Sequence, residues 1–151
     1  LRLEMPDLTP KQKRQARITA LQSIYAQELH GSDPDTTCEH MLDITNLPGE
    51  EVLKYSKHLC NITFKYISEI DNLIQKRSKN WDFNRITLID KLILRMALAE
   101  MLYEGNVPPK VSIAEGVEIA KQFSTEDSSS FINGILDSVY NDIVKVKEKT
   151  V

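Results

Sequence analysis

The fold is decided by one stretch of sequence, which reads Val107-Pro-Pro-Lys-Val-Ser-Ile-Ala-Glu-Gly-Val-Glu-Ile-Ala-Lys-Gln-Phe-Ser-Thr-Glu-Asp-Ser-Ser-Ser-Phe-Ile-Asn-Gly-Ile-Leu-Asp137. Ser112 stands three residues before Glu115, and Ser124 stands three residues before Asp127. This spacing is typical of a helix N-terminus, because each side chain can accept a hydrogen bond from the backbone N–H of the other residue. The stretch therefore predicts two capped helices.

The chain begins with a third helix start. Thr9 is a suitable cap, Pro10 suits the first helical position, and Gln12 follows the cap by three residues. We expect this helix to run to about Leu29. Its predicted core stripe follows helical spacing and consists of Ile18, Leu21, Tyr25 and Leu29.

Apolar residues at helical spacing continue through the rest of the chain. They predict a short helix through Met41 and Leu42, a long helix, whole or split, from Glu50 to about Lys76, one from Trp81 to near Gly105, and a last helix to about Val146. Alternation with a period of two residues, which would indicate strands, is absent from the sequence. We predict an all-α fold of about six to seven helices, either one bundle or two packed sub-bundles divided near residues 77–80.

Length and composition indicate an ordinary globular protein. The 151 residues are 41% hydrophobic and 27% charged, and a chain of this length can bury a substantial core without disulfides. We expect a single domain over residues 1–151, with flexible segments at 1–9 and 147–151. Charged residues interrupt the longest apolar run and no signal-peptide pattern is present, so we expect a cytoplasmic protein that is not in a membrane.

Catalytic and cofactor motifs are absent from the sequence. Nucleophile elbows, zinc-protease signatures and glycine-rich phosphate loops do not occur, so we expect no enzymatic activity and no cofactor. The pairs Cys38 with His40 and His58 with Cys60 are each two residues apart in segments that are predicted to be helical. Residues two apart do not share a helix face, so we expect no metal site.

Basic residues concentrate at the start of the chain. Residues 1–20 contain five basic and two acidic residues, whereas the whole chain has a net charge of −3. Lys13 and Arg17 lie one helical turn apart with Arg14 beside them, and an anionic partner would turn their mutual repulsion into attraction. Arginine can fork onto phosphate and stack on bases, so RNA is a candidate partner. The alternative is a solvated helix start, although positive charge is unfavourable at a helix N-terminus.

Polar and small residues interrupt the last predicted helix. Gly134 costs about 0.8–1 kcal/mol relative to alanine in a helix interior, so some compensation is expected, such as close helix packing. Asn133 could bind backbone or a ligand. Phe131 could pack in the core or stack on a base.

Together these motifs resemble the NusB family of bacterial transcription antitermination factors. The resemblance rests on Ala20-Leu-Gln-Ser-Ile-Tyr25, Asp90-Lys-Leu-Ile-Leu-Arg95, Glu100, Val107-Pro-Pro-Lys-Val111, Glu115, Glu118-Ile-Ala-Lys121 and Phe131-Ile-Asn-Gly-Ile-Leu-Asp137. It implies an all-α fold of two packed sub-bundles. It also implies binding to the boxA sequence of nascent RNA together with NusE, a small-subunit ribosomal protein, so that RNA polymerase reads through terminators, notably in ribosomal RNA operons.

The resemblance further implies site residues. The RNA-binding set is Lys13, Arg14, Arg17, Gln22, Tyr25, Asp127, Phe131 and Asn133. The set on the side that faces NusE is Asp90, Lys91 and Arg95. The sequence departs from the family pattern at Gln12 and Gln15, which thin the basic motif, and at Ala114, Gly116, Ser129 and Ser130. The departures at Gln12 and Gln15, and those at Ser129 and Ser130, imply fewer phosphate contacts than in other members.

Two other interpretations stay open. The chain could be a NusB-like accessory domain of an S-adenosylmethionine-dependent ribosomal RNA cytosine methyltransferase. It could also be a helical interaction protein that does not bind RNA and whose binding face is covered in a homodimer.

Overall fold

The computed structural model describes residues 7–31, 49–78 and 82–149. Every element in these residues is helical, as predicted. The predicted short helix through Met41 and Leu42 lies outside them, as does the pair of Cys38 and His40. None of the helices within the described ranges combines the length and apolarity that are needed to cross a membrane.

The chain divides into two units, Leu1–Lys65 and Tyr66–Val151. The sequence left open one bundle or two sub-bundles divided near residues 77–80, and that position of the division was wrong. The long predicted helix is split at Tyr66, whose backbone angles (φ −110°, ψ 19°) depart from α-helical values. The break in the helix at Tyr66, and not residues 77–80, therefore marks the boundary between the two units.

The first unit contains helices α1 (Pro10–His30) and α2 (Glu50–Lys65). The predicted capping box at the start of α1 is confirmed. Thr9 Oγ1 accepts a hydrogen bond from the Gln12 N–H at 3.2 Å, and Gln12 Oε1 accepts one from the Thr9 N–H at 2.9 Å. The helix ends at Gly31, where φ is +70°, a conformation that glycine adopts without steric cost.

The face that α1 buries differs from the predicted stripe. Leu21 is buried as predicted, and so are Ala20 and Ile24, whereas Tyr25 is 38% exposed and Leu29 is 55% exposed. The prediction followed the large apolar residues, but the buried face also uses small ones. The outer face of α1 therefore carries exposed apolar side chains.

Hydrogen bonds to the α1 backbone explain why this face of α1, and not the predicted one, is buried. Ser56 of α2 donates its hydroxyl to the carbonyl oxygen of Ala16 at 2.8 Å, and Cys60 directs its thiol to the carbonyl oxygen of Ala20 at 3.7 Å. Such contacts require that the two helices approach closely, and alanine permits this approach. Small residues on both helices thus fix which side of α1 faces α2.

The second unit is built around one buried helix. Its helices are α3 (Ile67–Arg77), a short 3-10 helix (Phe83–Arg85), α4 (Leu88–Tyr103), α5 (Pro109–Phe123), α6 (Glu126–Val139), a π-helical segment (Tyr140–Val144) and α7 (Lys145–Lys149). Helix α4 contacts α3, α5 and α6, and residues 92–101 of α4 are all buried. It forms the centre of this unit's core.

Both helix starts that the sequence predicted between residues 107 and 137 are displaced. Helix α5 begins at Pro109, so Ser112 lies inside the helix, where its hydroxyl donates to Glu100 Oε1 at 2.8 Å. Helix α6 is capped by Thr125, whose Oγ1 accepts from the Ser128 N–H at 3.1 Å. Proline already holds the backbone angle of a first helical residue, which favours the earlier start of α5.

The two glycines of α5 and α6 have different surroundings. A Cβ atom on Gly116 would lie 3.2 Å from both Ala97 Cβ and Leu136 Cδ1, so this glycine permits close packing of three helices. A Cβ atom on Gly134 would meet nothing within 4 Å. The prediction that Gly134 serves close packing was wrong, and Gly116 has that role.

We expect Gly134→Ala to raise the free energy of unfolding by about 0.8–1 kcal/mol, because alanine has the higher helix propensity and the space is open. Gly116→Val is the matched control and should lower it by about 1–3 kcal/mol through overpacking. Urea unfolding followed by circular dichroism measures both. A loss of stability in Gly134→Ala would show that its surroundings are not open.

Candidate nucleic-acid interface

The basic residues at the start of α1 differ in their exposure. Lys11 and Arg14 are exposed and Lys13 is partly exposed. Arg17 is only 3% exposed, and its Cζ atom lies 6.0 Å from the centre of the Tyr55 ring. The accessible positive charge of α1 therefore lies mainly in its first two turns, whereas Arg17 is part of the packing between α1 and α2.

One exposed face of α1 connects three of the predicted residues, Arg14, Gln22 and Tyr25. Gln22 is partly exposed and Tyr25 is exposed, and both follow Lys11 and Arg14 at helical spacings. Lys11 was not in the predicted RNA-binding set, although its position three residues before Arg14 places it on the same face. The face presents basic groups at its N-terminal end and an aromatic ring further along.

Asp90 joins the first turn of α4 to the start of α6. Its carboxylate is buried, with the residue 5% exposed, and it accepts hydrogen bonds from the hydroxyls of Ser124 at 2.8 Å and Ser128 at 2.7 Å. Ser124 therefore serves as a donor to Asp90 and not as the predicted cap. Both carboxylate oxygens are used inside the unit.

Lys91 and Arg95, the other residues predicted to face a partner, also contact the second unit itself. The ammonium of Lys91 lies 4.3 Å from the centre of the Phe83 ring, which is a cation–π contact. Arg95 is 9% exposed and forms two hydrogen bonds with Asp71, at 2.8 and 2.9 Å. These two cations hold the 3-10 helix and α3 against α4.

Asp127 and Phe131 line one cavity with Asp90. The cavity has a volume of about 200 Å³, and its remaining lining residues are Arg85, Ile86, Thr87 and Ser128. Asp127 and Phe131 are four residues apart and so share a face of α6. The structure thus brings together two of the predicted RNA-binding residues with one of the predicted partner residues.

Asn133 lies on another side of α6. It is two residues beyond Phe131, which corresponds to a rotation of about 200° around the helix. It lines a wide groove of about 890 Å³ between α5 and α6, together with Lys110 and Lys121. Three of the positions that depart from the family pattern line the same groove, namely Ala114, Ser129 and Ser130.

Tyr103, which does not line the cavity, has a shifted pKa. Burial raises the pKa of Tyr103 above its ordinary value of 10.0, and the charge of Glu69 and the neighbouring Tyr66 raise it further. The rings of Tyr66 and Tyr103 stack at 3.7 Å. Within the residues that the structure covers, no group of three or more His, Cys, Asp and Glu side chains could hold a metal ion.

We expect Asp90→Ala to lower the free energy of unfolding by about 2–4 kcal/mol, because it removes two hydrogen bonds to a charged group and leaves two serine hydroxyls without their acceptor. The control Glu118→Ala removes a carboxylate that is exposed and 3.4 Å from Lys121, so it should change stability by less than about 1 kcal/mol. Urea unfolding tests both. Equal, small effects would show that the Asp90 contacts do not hold α6.

Comparisons with known proteins give a consistent result. The family model described as the NusB family matches residues 14–141. A transcription antitermination protein NusB of Chloroherpeton thalassium is 40% identical over 131 residues, which are 87% of this chain and 62% of that protein. The protein of the same name from Salinibacter ruber is 35% identical over 87% of this chain and 82% of its own length.

Solved structures share the fold. NusB of T. maritima matches with a TM-score of 0.78 and 31% identity, over 89% of this chain and 92% of its own. A chain from a crystal structure of the antitermination factors NusB and NusE in complex with dsRNA matches with a TM-score of 0.79 over 88% of this chain and 98% of its own, at 24% identity. This last likeness concerns the fold alone.

Proposed function

This chain belongs to the NusB family, and from that premise we propose that it is a transcription antitermination factor. In this proposal it binds boxA RNA together with the ribosomal protein NusE and helps RNA polymerase to read through terminators, notably in ribosomal RNA operons. The observation that carries the proposal is the family match over residues 14–141, which extends from the basic part of α1 through α6. We further propose that the protein acts in the cytoplasm, by assembly and without catalysis.

The exposed face of α1 supports a phosphate-binding role in the first unit. Lys11 and Arg14 are exposed on the face that Gln22 and Tyr25 extend, and Lys13, which is partly exposed, adds positive charge on another side of the same first turns. Charges of this kind bind a nucleic-acid backbone without regard to sequence and make the affinity dependent on salt. We assign to this face the contacts that hold the RNA strand.

The cavity beside Phe131 supports a base-binding role in the second unit. Phe131 is partly exposed, as stacking on a base requires, and Asp127 lies one turn before it on the same face. Asn133 lines the groove on the other side of α6, where its exposed amide can meet a continuing strand. We assign sequence preference to these residues.

The contacts of Asp90, Lys91 and Arg95 support an indirect role in NusE binding. Each of these side chains is engaged inside the second unit, with Ser124 and Ser128, with Phe83, or with Asp71. In our proposal they shape the surface that meets NusE and do not themselves form most of its contacts.

We expect this protein to bind boxA RNA more tightly than a scrambled RNA, and to bind it more tightly still when NusE is present. If the start of α1 makes about three phosphate contacts, the slope of log K against log salt should be near −2, because each contact to a single strand contributes about 0.7. Fluorescence anisotropy of labelled RNA at several salt concentrations measures both quantities. Equal affinity for the two RNAs with and without NusE would contradict the proposal.

Arg14 and Arg17 provide a matched test of the basic helix. Arg14→Ala removes an exposed charge, so it should weaken RNA binding and reduce the salt slope by about 0.7, while the free energy of unfolding falls by less than about 1 kcal/mol, as for contacts of an exposed charge. Arg17→Ala removes a buried side chain and should lower the free energy of unfolding by about 1–2 kcal/mol. Anisotropy and urea unfolding of both variants separate the two effects. Normal RNA binding by Arg14→Ala would remove this residue from the site.

A further inference from the structure

The cavity beside Phe131 is small and has apolar walls. Ile86, which is buried, and Phe131, which is partly exposed, both line it. Its volume of about 200 Å³ lies below the roughly 300–1,000 Å³ that is typical of pockets for drug-sized ligands. The occupant that fits is therefore a single flat ring system or one side chain.

The polar side of the cavity is fixed in place by hydrogen bonds. Ser128 donates to Asp90, the Ser128 N–H donates to Thr125 Oγ1, and Asp90 also accepts from Ser124. These contacts hold the first turn of α6, which carries Asp127, against α4. The cavity is thus formed before any ligand binds, which lowers the entropic cost of binding.

Asp127 supplies a hydrogen-bond acceptor that none of the other described residues uses. Its side chain is exposed and makes no hydrogen bond or ion pair with the described residues. An ionised carboxylate has two acceptor oxygens and no donor, so it matches a ligand edge that presents two adjacent donors. The carboxylate repels a ligand edge in which an acceptor atom stands beside the donor, because that acceptor would face a carboxylate oxygen.

The positive charge of Arg85 indicates that part of the ligand is negatively charged. It is exposed and lines the same cavity. Its guanidinium can bind a phosphate, while the carboxylate of Asp127 accepts hydrogen bonds from donor groups of the same ligand. An occupant that combines a flat ring, a donor edge and a phosphate is a nucleotide.

We propose that this cavity takes one unstacked guanine of the bound RNA, that Asp127 selects it, and that Arg85 contacts its phosphate. Guanine fits because its N1–H and its 2-amino group are adjacent donors, one for each oxygen of Asp127. Adenine and cytosine present an amino group beside a ring acceptor, and uracil presents one N–H between two carbonyls. The inference rests on the proposed RNA-binding function and adds to it the selected base and the selecting residue.

The test compares guanine with inosine, which lacks only the 2-amino group. Fluorescence anisotropy is measured with a series of boxA-derived RNAs in which each position in turn carries guanine or inosine. We expect one position at which the native protein binds guanine about tenfold more tightly, the value of one hydrogen bond to a charged group. The readout is the ratio of the affinities for the guanine RNA and the inosine RNA, measured with the same protein variant. Removal of any carboxylate strengthens the attraction for every RNA, and this ratio cancels that general effect.

Two variants at the start of α6 form a matched pair. Asp127→Ala should bring the guanine to inosine ratio close to one at the selected position. Glu126→Ala removes the neighbouring exposed carboxylate, which lines the wide groove instead of the cavity, and should leave the ratio unchanged. Both residues are exposed, and circular dichroism checks that both variants fold.

Arg85→Ala should act on all the RNAs alike. Loss of one phosphate contact reduces the salt slope by about 0.7 and leaves the ratio unchanged. An unchanged slope would overturn the assignment of Arg85.

The outcomes separate this inference from the function on which it rests. If boxA RNA binds but no position discriminates, or if Asp127→Ala keeps the native ratio, the guanine site is wrong while the RNA-binding function stands. If Asp127→Ala weakens NusE binding and leaves the ratio intact, the cavity takes a cationic side chain of that partner, and the inference is overturned. If no RNA binds with or without NusE, both are overturned.

Discussion

The second unit depends on one buried carboxylate, that of Asp90. A charge taken out of water costs several kcal/mol unless hydrogen bonds compensate, and Ser124 and Ser128 provide that compensation at 2.8 and 2.7 Å. Because both serines belong to the start of α6, the carboxylate determines where that helix lies against α4. The positions of Asp127 and Phe131, and with them the cavity, follow from this contact.

Much of the fold was predictable from local signals, and the errors have a common cause. The capping box at Thr9 and the all-helical character depend on neighbours in sequence, so the sequence identified both. Ser112 and Ser124 also match a local cap pattern, but their hydroxyls bond to Glu100 and Asp90, which are distant in the chain. A serine hydroxyl can cap a helix N-terminus or donate to a buried carboxylate, and tertiary contacts decide which of the two it does.

The candidate site was also predictable only in part, because helix spacing can be read from the sequence and tertiary contacts cannot. The i, i+4 spacing of Asp127 and Phe131 placed both on one face, and they do line one cavity. The family resemblance grouped Asn133 with them, although helix geometry turns it to another side of α6. It also grouped Arg17 with the exposed Arg14, and the burial of Arg17 against Tyr55 depends on which face of α1 packs against α2, which Ala16 and Ala20 permit.

Hydrogen exchange with and without boxA RNA tests most directly whether the start of α6 contacts RNA. The native protein is mixed with NusE and with either boxA RNA or a scrambled RNA. Mass spectrometry then follows the exchange of the backbone amides of residues 124–133. We expect slower exchange in this segment and in the first turns of α1 with boxA RNA only. Unchanged exchange at residues 124–133 while boxA RNA is bound would contradict this expectation.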